Sequence, residues 1–245
     1  MDQPAIAYIQ VGGRSIAYRM REGKVPTLVF LPGYASDMEG TKALALDAFA
    51  EQRGLGMLRL DYSGTGSSGG KFEDGTLARW LEEALAAVDS LTAGPLIVIG
   101  SSMGGWIALH LALLRPERVQ ALVGIAAAPD FTEWGFTDRL KARLGAGETL
   151  RGKGDYGDRV TTAAFWSSGQ RLRLLGGQIA LDCPVRLVHG EADADVPLDV
   201  AFRTMRALRS ADVQLLTIKG GGHRLSEPNE IAAILATVAG LLEPA

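Results

Sequence analysis

Short, nearly continuous apolar runs alternate with segments of helical periodicity along most of this 245-residue chain. Runs without polar alternation are typical of strands that are buried on both faces of a parallel sheet. The predicted strands are residues 27–31, 56–61, 95–100, 119–127, 184–190 and 212–218. The predicted helices lie near residues 39–52, 76–92, 103–115, 198–209 and 227–242. This order predicts an α/β fold with a mostly parallel, doubly wound sheet.

Two segments depart from the alternation. Residues 5–11 and 15–20 flank the pair Gly12-Gly13, which predicts an antiparallel hairpin that leads into the sheet. Residues 130–182 contain no evident strand of the main sheet, and we interpret them as a small cap inserted over one end of it, within a single domain of residues 1–245. This cap segment is rich in glycine, arginine and isolated aromatic residues, namely Phe131, Trp134, Phe136, Tyr156, Phe165 and Trp166.

Composition excludes several classes of partner. Hydrophobic residues make up 47% of the chain and charged residues 22%, which allows a sizeable core and argues against global disorder. The formal charge is −3 and no basic block is present, so neither nucleic acid nor an anionic membrane is an expected partner. The longest apolar stretch, residues 106–114, is interrupted by His110 and is too short to span a bilayer, so no integral membrane segment is predicted.

The expected location is the cytoplasm. The single cysteine, Cys183, cannot form an internal disulfide and fits a reducing compartment. The first residues carry an acid at position 2 and no basic region before an apolar run, so no signal peptide is predicted.

Residues 64–71, GTGSSGGK, satisfy or approach three motifs at once. The dinucleotide pattern G-x-G-x-x-G requires glycines that join a strand directly to a helix, whereas KFEDGT separates this segment from the helix near residue 76. A phosphate loop would need glycine at Thr65 and a hydroxyl residue at Phe72. The third motif, G-x-S-x-G, is centred on Ser68. Because the segment fits neither the dinucleotide pattern nor the phosphate loop, we predict a glycine-rich loop and no nucleotide cofactor.

The spacing G-x-S-x-G occurs a second time, at Gly100, Ser102 and Gly104. Here the predicted strand 95–100 precedes the serine and the predicted helix 103–115 follows it at once, which is the arrangement of a nucleophile elbow. Ser68 has neither element beside it. The sequence therefore predicts Ser102 as a nucleophile, and the alternative is a glycine-rich turn with a buried serine.

A serine nucleophile needs a base, and the chain has three histidines. His110 is eight residues beyond Ser102 on one predicted helix, about 12 Å along the axis, and is too distant. His189 ends a strand. His223 follows the last strand and leaves room for an acid between itself and the serine, the chain order expected on such a sheet.

The acid is expected in the loop after strand 184–190, in the sequence HGEADADVP. Asp193 is the favoured residue and Asp195 is its rival. The oxyanion formed during attack would need donors, and we predict the backbone N–H groups of Met103 and Tyr34. The alternative for Tyr34 is an ordinary turn after Pro32.

Five aromatic residues are candidates for lining an acyl-binding site or, alternatively, for packing: Trp106, Trp134, Phe136, Phe165 and Trp166. The histidines lack metal-ligand spacing, so neither a metal nor another cofactor is predicted.

The strand–G-x-S-x-G–helix unit, HGEADADVP and the late GGHR together resemble the α/β-hydrolase superfamily, and within it a branch of serine esterases and thioesterases. The resemblance covers residues 27–127 and 183–228. It implies a triad of Ser102, Asp193 and His223, with Tyr34 and Met103 at the oxyanion position. Asp195 departs from the branch, which tends to have an apolar residue there.

What the resemblance implies is hydrolysis of carboxylic esters or acyl thioesters, carried by small molecules or acylated proteins, through an acyl-enzyme. The fold alone does not fix the chemistry. The alternatives are a catalytically silent ligand-binding protein, a lactonase and a hydrolase of C–C bonds.

Overall fold

A computed structural model describes residues 3–154 and 157–242, so Tyr156 lies outside the described residues. The main sheet of the described chain has eight strands: β1 (Ala7–Val11), β2 (Arg14–Arg21), β3 (Lys24–Leu31), β4 (Leu55–Leu60), β5 (Leu96–Ser101), β6 (Val119–Ile125), β9 (Val185–Gly190) and β10 (Val213–Ile218). A separate hairpin contains β7 (Leu150–Gly154) and β8 (Gly157–Thr161). The helices are α1 (Thr41–Arg53), α2 (Leu77–Leu91), α3 (Met103–Leu114), α4 (Phe131–Trp134), α5 (Asp138–Gly145), α6 (Ala163–Arg171), α7 (Leu198–Ala207) and α8 (Pro228–Gly240).

The strand order across the main sheet is β1-β2-β4-β3-β5-β6-β9-β10. The pairs β1–β2 and β2–β4 are antiparallel, and every other pair is parallel. Gly12 and Gly13 form the turn of the N-terminal hairpin with φ of 54° and 78°, a region that glycine enters without steric cost. The predicted fold class is confirmed: a mostly parallel sheet with an antiparallel N-terminal hairpin.

Both faces of the sheet are covered by helices, which explains why the central strands are apolar at almost every position. Successive side chains of a strand point to opposite faces. In β3, Val29 and Leu31 pack in one cluster with residues of α2 and α3, while Leu28 and Phe30 pack in another with residues of α1 and α8.

The cap segment contains α4, α5, α6 and the β7–β8 hairpin. Its two ends are joined by Asp130, whose two carboxylate oxygens accept the N–H groups of Leu174 and Leu175, each at 2.8 Å. The sequence did not resolve these elements because helices of four to nine residues leave little periodicity to read.

The parallel strands β3, β5, β9 and β10 all end at the same edge of the sheet. The loops that follow them are therefore neighbours, and they carry Tyr34, Ser102, Asp193 and His223. Among residues 3–154 and 157–242, no helix is long and apolar enough to cross a membrane.

Candidate active site

Ser102 occupies a strained turn between β5 and α3. Its φ of 54° and ψ of −120° lie outside the regions that residues with a side chain ordinarily occupy. The Ser102 N–H donates to the Ile125 carbonyl at 2.9 Å, and the Ser102 carbonyl accepts from Gly105 at 2.9 Å and from Ala128 at 3.0 Å. These three bonds hold the serine in the strained conformation.

The glycines of the motif allow the strand and the helix to pack against each other at this turn. A Cβ atom on Gly100 would lie 2.2 Å from the Gly104 carbonyl oxygen, and a Cβ on Gly104 would lie 2.0 Å from the carbonyl oxygen of Leu31. Both distances are far inside van der Waals contact, so neither position accepts a side chain without movement of the backbone.

The structure brings the three residues of the predicted triad together. His223 Nε2 lies 3.1 Å from Ser102 Oγ, and His223 Nδ1 lies 2.9 Å from Asp193 Oδ2. A carboxylate only accepts hydrogen bonds, so Nδ1 carries the proton in the neutral ring. Nε2 is then the acceptor for the serine hydroxyl, which is the tautomer that a general base requires.

Asp193 is held by its own loop. Its Oδ1 accepts the backbone N–H groups of Asp195 at 2.9 Å and Val196 at 2.8 Å. Burial raises the pKa of this carboxyl, but the hydrogen bonds from His223 and Val196 and the charge of the neighbouring histidines outweigh burial and hold the pKa below its ordinary value. The imidazole contact belongs to Asp193, while the rival Asp195 contributes a backbone N–H to the Asp193 carboxylate.

The loops after β9 and β10 run against each other, which places the acid beside the histidine. The Ala192 N–H donates to the Gly221 carbonyl at 2.9 Å. A Cβ on Gly190 would lie 2.2 Å from that same carbonyl oxygen, so the strand end and the loop approach closely.

The two predicted oxyanion donors also border Ser102. Met103 is the first residue of α3, where a backbone N–H has no acceptor within the helix. A Cβ on Gly33 would lie 3.2 Å from Ser102 Cβ and 3.8 Å from its Oγ, so the chain entering Tyr34 passes beside the hydroxyl. Their role as oxyanion donors stays a prediction.

The side chain of Tyr34 links the active-site loop to the cap segment, a contact that the sequence did not predict. Its hydroxyl donates to the carbonyl of Val160 in β8, and burial raises its pKa to about 12. Its ring contacts four others, with centroid distances of 4.8 to 6.0 Å: Phe72, Trp80, Phe131 and Phe165.

Four of the five aromatic candidates for substrate binding make packing contacts or hydrogen bonds with the surrounding chain: Trp106, Trp134, Phe165 and Trp166. Trp106 and Phe165 are 0% and 1% exposed, and Phe136 is half-buried. The three indole N–H groups donate to backbone carbonyls, Trp106 to Leu172, Trp134 to Pro129 and Trp166 to Thr132. Contact of any of the five with a substrate stays a prediction.

His189 is a further residue at this site that the sequence did not single out. Its Nε2 lies 2.9 Å from the Val196 carbonyl oxygen and 3.4 Å from Asp193 Oδ2. The sequence feature that could have identified His189 is its position near the end of the strand that leads into the loop of Asp193, four residues before the aspartate. Within the described part of the chain, no three or more His, Cys, Asp or Glu side chains are grouped so as to hold a metal ion.

The fold and the elbow define a class, the alpha/beta hydrolases. A sequence model of the alpha/beta hydrolase fold matches residues 26–144, and a model described as TAP-like protein matches residues 154–244. The chain belongs to the alpha/beta hydrolase family. Over 94% of its length it is 36% identical to human mitochondrial palmitoyl-protein thioesterase ABHD10, of which the alignment covers 77%.

Solved structures agree with this assignment. Alpha/beta hydrolase domain-containing protein 10 from mouse superimposes with a TM-score of 0.92 at 33% identity, covering 97% of this chain and 98% of the mouse chain. A putative hydrolase from Agrobacterium vitis S4 gives a TM-score of 0.92 at 40% identity, covering 98% and 99% of the two chains.

The expected cytoplasmic location is wrong by the same comparison. The human and mouse relatives, at 36% and 35% identity, are both named as mitochondrial and not as cytoplasmic proteins. The expectation rested in part on a single cysteine, which fits any reducing compartment and does not distinguish among them.

Proposed function

We propose that this chain is a serine hydrolase that cleaves carboxylic esters or acyl thioesters through Ser102, His223 and Asp193. The observation that carries the proposal is the continuous path of contacts from hydroxyl to imidazole to carboxylate, at 3.1 Å and 2.9 Å. This path begins at Ser102, which lies in a strained turn between a strand and a helix, as the serine of a nucleophile elbow does.

In the first half-reaction, Ser102 Oγ attacks the acyl carbonyl while His223 Nε2 takes the hydroxyl proton. Asp193 keeps the Nδ1 proton in place and stabilises the imidazolium. The amides of Met103 and Tyr34 bind the oxyanion of the tetrahedral intermediate. His223 then gives its proton to the leaving alkoxide or thiolate, and Ser102 remains acylated.

In the second half-reaction, His223 takes a proton from water, and the resulting hydroxide attacks the acyl-enzyme carbonyl. Collapse of the intermediate releases the acid and returns the proton to Ser102 Oγ. Each turnover consumes one ester or thioester and one water, and releases one acid and one alcohol or thiol.

An apolar acyl group fits the surroundings of the serine. Gly33 borders Ser102, and the next residue is Tyr34. The Tyr34 ring lies against the half-buried rings of Phe72 and Phe131. The relatives named palmitoyl-protein thioesterase support a long-chain acyl thioester as one substrate class. Matched p-nitrophenyl esters and acyl thioesters of two to sixteen carbons would measure both the preferred chain length and the preferred leaving group.

The deciding experiment compares Ser102→Ala with Ser68→Ala, because Ser68 has the same glycine spacing. We expect a fluorophosphonate probe to label the wild type and Ser68→Ala but not Ser102→Ala. The kcat/KM of Ser102→Ala should fall by about a thousand-fold or more. Retention of full activity by Ser102→Ala would overturn the proposal. A folded wild type that binds acyl ligands but is neither labelled nor active would instead be a ligand-binding protein.

A further inference from the structure

We infer that His189 is a positioning residue for this site: its Nε2–H fastens the loop that carries Asp193 and faces the carboxylate oxygen that holds His223. The inference rests on the function proposed above, because it concerns the geometry and charge of the same triad. His189 would not touch the substrate.

The contacts of His189 fix which of its ring atoms carries a proton. The ring is 2% exposed, and Nε2 lies 2.9 Å from the Val196 carbonyl oxygen. A carbonyl oxygen only accepts hydrogen bonds, so Nε2 is the donor. The same Nε2 lies 3.4 Å from Asp193 Oδ2, the oxygen that His223 Nδ1 contacts at 2.9 Å.

Val196 connects the histidine to the carboxylate a second time. Its carbonyl is bound by His189, and its N–H donates to Asp193 Oδ1 at 2.8 Å. The loop that carries Asp193, here called the acid loop, is therefore hydrogen-bonded back to β9, the strand that it follows. The orientation of the Asp193 carboxylate depends on this hydrogen bond. Small displacements of catalytic groups are costly, since about 1 Å can reduce a rate by about a hundred-fold.

The position of Nε2 also gives His189 an electrostatic effect. Its N–H is directed at the Val196 carbonyl, but the nitrogen lies only 3.4 Å from Asp193 Oδ2, so the positive end of the N–H dipole is close to the carboxylate oxygen that faces His223. Within the described chain, the titratable groups on the side of this nitrogen are Asp193 in the loop after β9 and, beyond the carboxylate, His223 in the loop after β10. Without this N–H, the negative charge of the Asp193 carboxylate would be less compensated, and the acid limb of the kcat/KM profile would move to higher pH.

The test measures kcat/KM against pH for His189→Leu, His189→Gln and the control His110→Leu. His110 is also a poorly exposed histidine whose Nε2 bonds a carbonyl, that of Leu172 at 2.8 Å, but it lies in α3 away from the acid loop. We expect the kcat/KM of His189→Leu to fall by about ten-fold or more, through a lower kcat. The acid limb of its kcat/KM profile should move to higher pH by about half a unit. His189→Gln keeps an N–H donor and should restore the position of the limb.

A purely structural role would lower the thermal midpoint without moving the acid limb, as we expect for His110→Leu. An unmoved limb in His189→Leu would therefore overturn the inference. If His189→Leu does not fold, His189→Asn serves in its place, because its amide is too short to reach the Val196 carbonyl. A wild type that the fluorophosphonate probe does not label would refute the proposed function itself, whereas a labelled wild type with an unmoved limb refutes only the role of His189.

Discussion

Two segments of this chain carry the spacing G-x-S-x-G, and they hold their serines in different ways. In residues 66–70, the Ser68 hydroxyl accepts the Ala17 N–H and donates to the Asp61 carbonyl, both at 2.7 Å, so its hydrogen bonds serve the backbone. In residues 100–104, the Ser102 hydroxyl faces an imidazole at 3.1 Å. The same spacing therefore builds a loop in one place and a candidate nucleophile in the other.

Each serine site also includes a buried aspartate that lies outside the G-x-S-x-G segment, and this aspartate accepts two backbone N–H groups. Asp61 accepts those of Met38 at 2.7 Å and Ser67 at 2.8 Å, which closes the glycine-rich loop. Burial raises the pKa of Asp61 by more than these two bonds lower it. The pKa of Asp193 is lowered instead, because His223 adds its hydrogen bond and charge and outweighs burial. What distinguishes the two sites is the imidazole, not the glycines.

The largest difference between the two aspartates should appear in activity. Asp193→Asn leaves His223 with an amide that can donate to Nδ1, which favours the wrong tautomer, and kcat should fall by about a thousand-fold or more. Asp61→Asn should keep kcat within about three-fold while lowering stability by about 1–3 kcal/mol, since one backbone N–H loses its acceptor. Steady-state kinetics and urea unfolding on both variants measure the two effects.

Asp195→Asn is the matched control for this experiment, because it changes a carboxylate in the same loop. We expect it to retain most of the activity, since residue 195 bonds the Asp193 carboxylate through its backbone N–H, which the substitution keeps. If Asp195→Asn instead lost activity as strongly as Asp193→Asn does, the acid would be misassigned.

The sequence could predict Ser102 because the evidence lay next to it: an apolar strand before the serine and a long helix after it. It favoured Asp193 but left Asp195 as a rival, because both lie in one short loop. Their difference depends on which side chain turns back to accept the amides of residues 195 and 196. The contact of His189 with that carboxylate was also out of reach, since it exists only once the loop folds back over the strand end.

The glycines of the two segments should differ in their effect on stability. A Cβ on Gly104 would meet the Leu31 carbonyl oxygen at 2.0 Å, and the backbone of β3 would have to move. We expect Gly104→Ala to cost about 3 kcal/mol or more. A Cβ on Gly66 would meet Asp61 Oδ2 at 2.1 Å, and its φ of 48° adds strain, but a side chain can give way more easily, so about 2 kcal/mol is expected.

Gly177→Ala is the control for this pair, because no atom lies within 4 Å of a Cβ built there. Its effect should stay within about 0.5 kcal/mol. Unfolding midpoints in urea give the ranking, and a larger loss for Gly66→Ala than for Gly104→Ala would show that the loop, not the elbow, is the more tightly constrained segment.

The smallest expected effect is on the pH dependence of stability: the contributions of Asp61 and Asp193 to the free energy of unfolding should change with pH in opposite directions. The pKa of Asp61 is raised in the folded state, so the folded state binds its proton more tightly than the unfolded chain does. Relative to Asp61→Asn, the wild type should lose stability as the pH rises from the unfolded pKa of 3.8 through the raised pKa of the folded state.

Asp193 should behave in the opposite way, because its folded pKa lies below the unfolded value of 3.8. The stability that its ionised form contributes is present above that value and is lost as the pH falls through the lowered pKa. Free energies of unfolding for the wild type and the two Asn variants, measured at intervals from pH 3 to 7, should therefore give difference curves of opposite slope. Slopes of equal sign would mean that the imidazole does not outweigh burial at Asp193, and the distinction between the two aspartates would then rest on geometry alone.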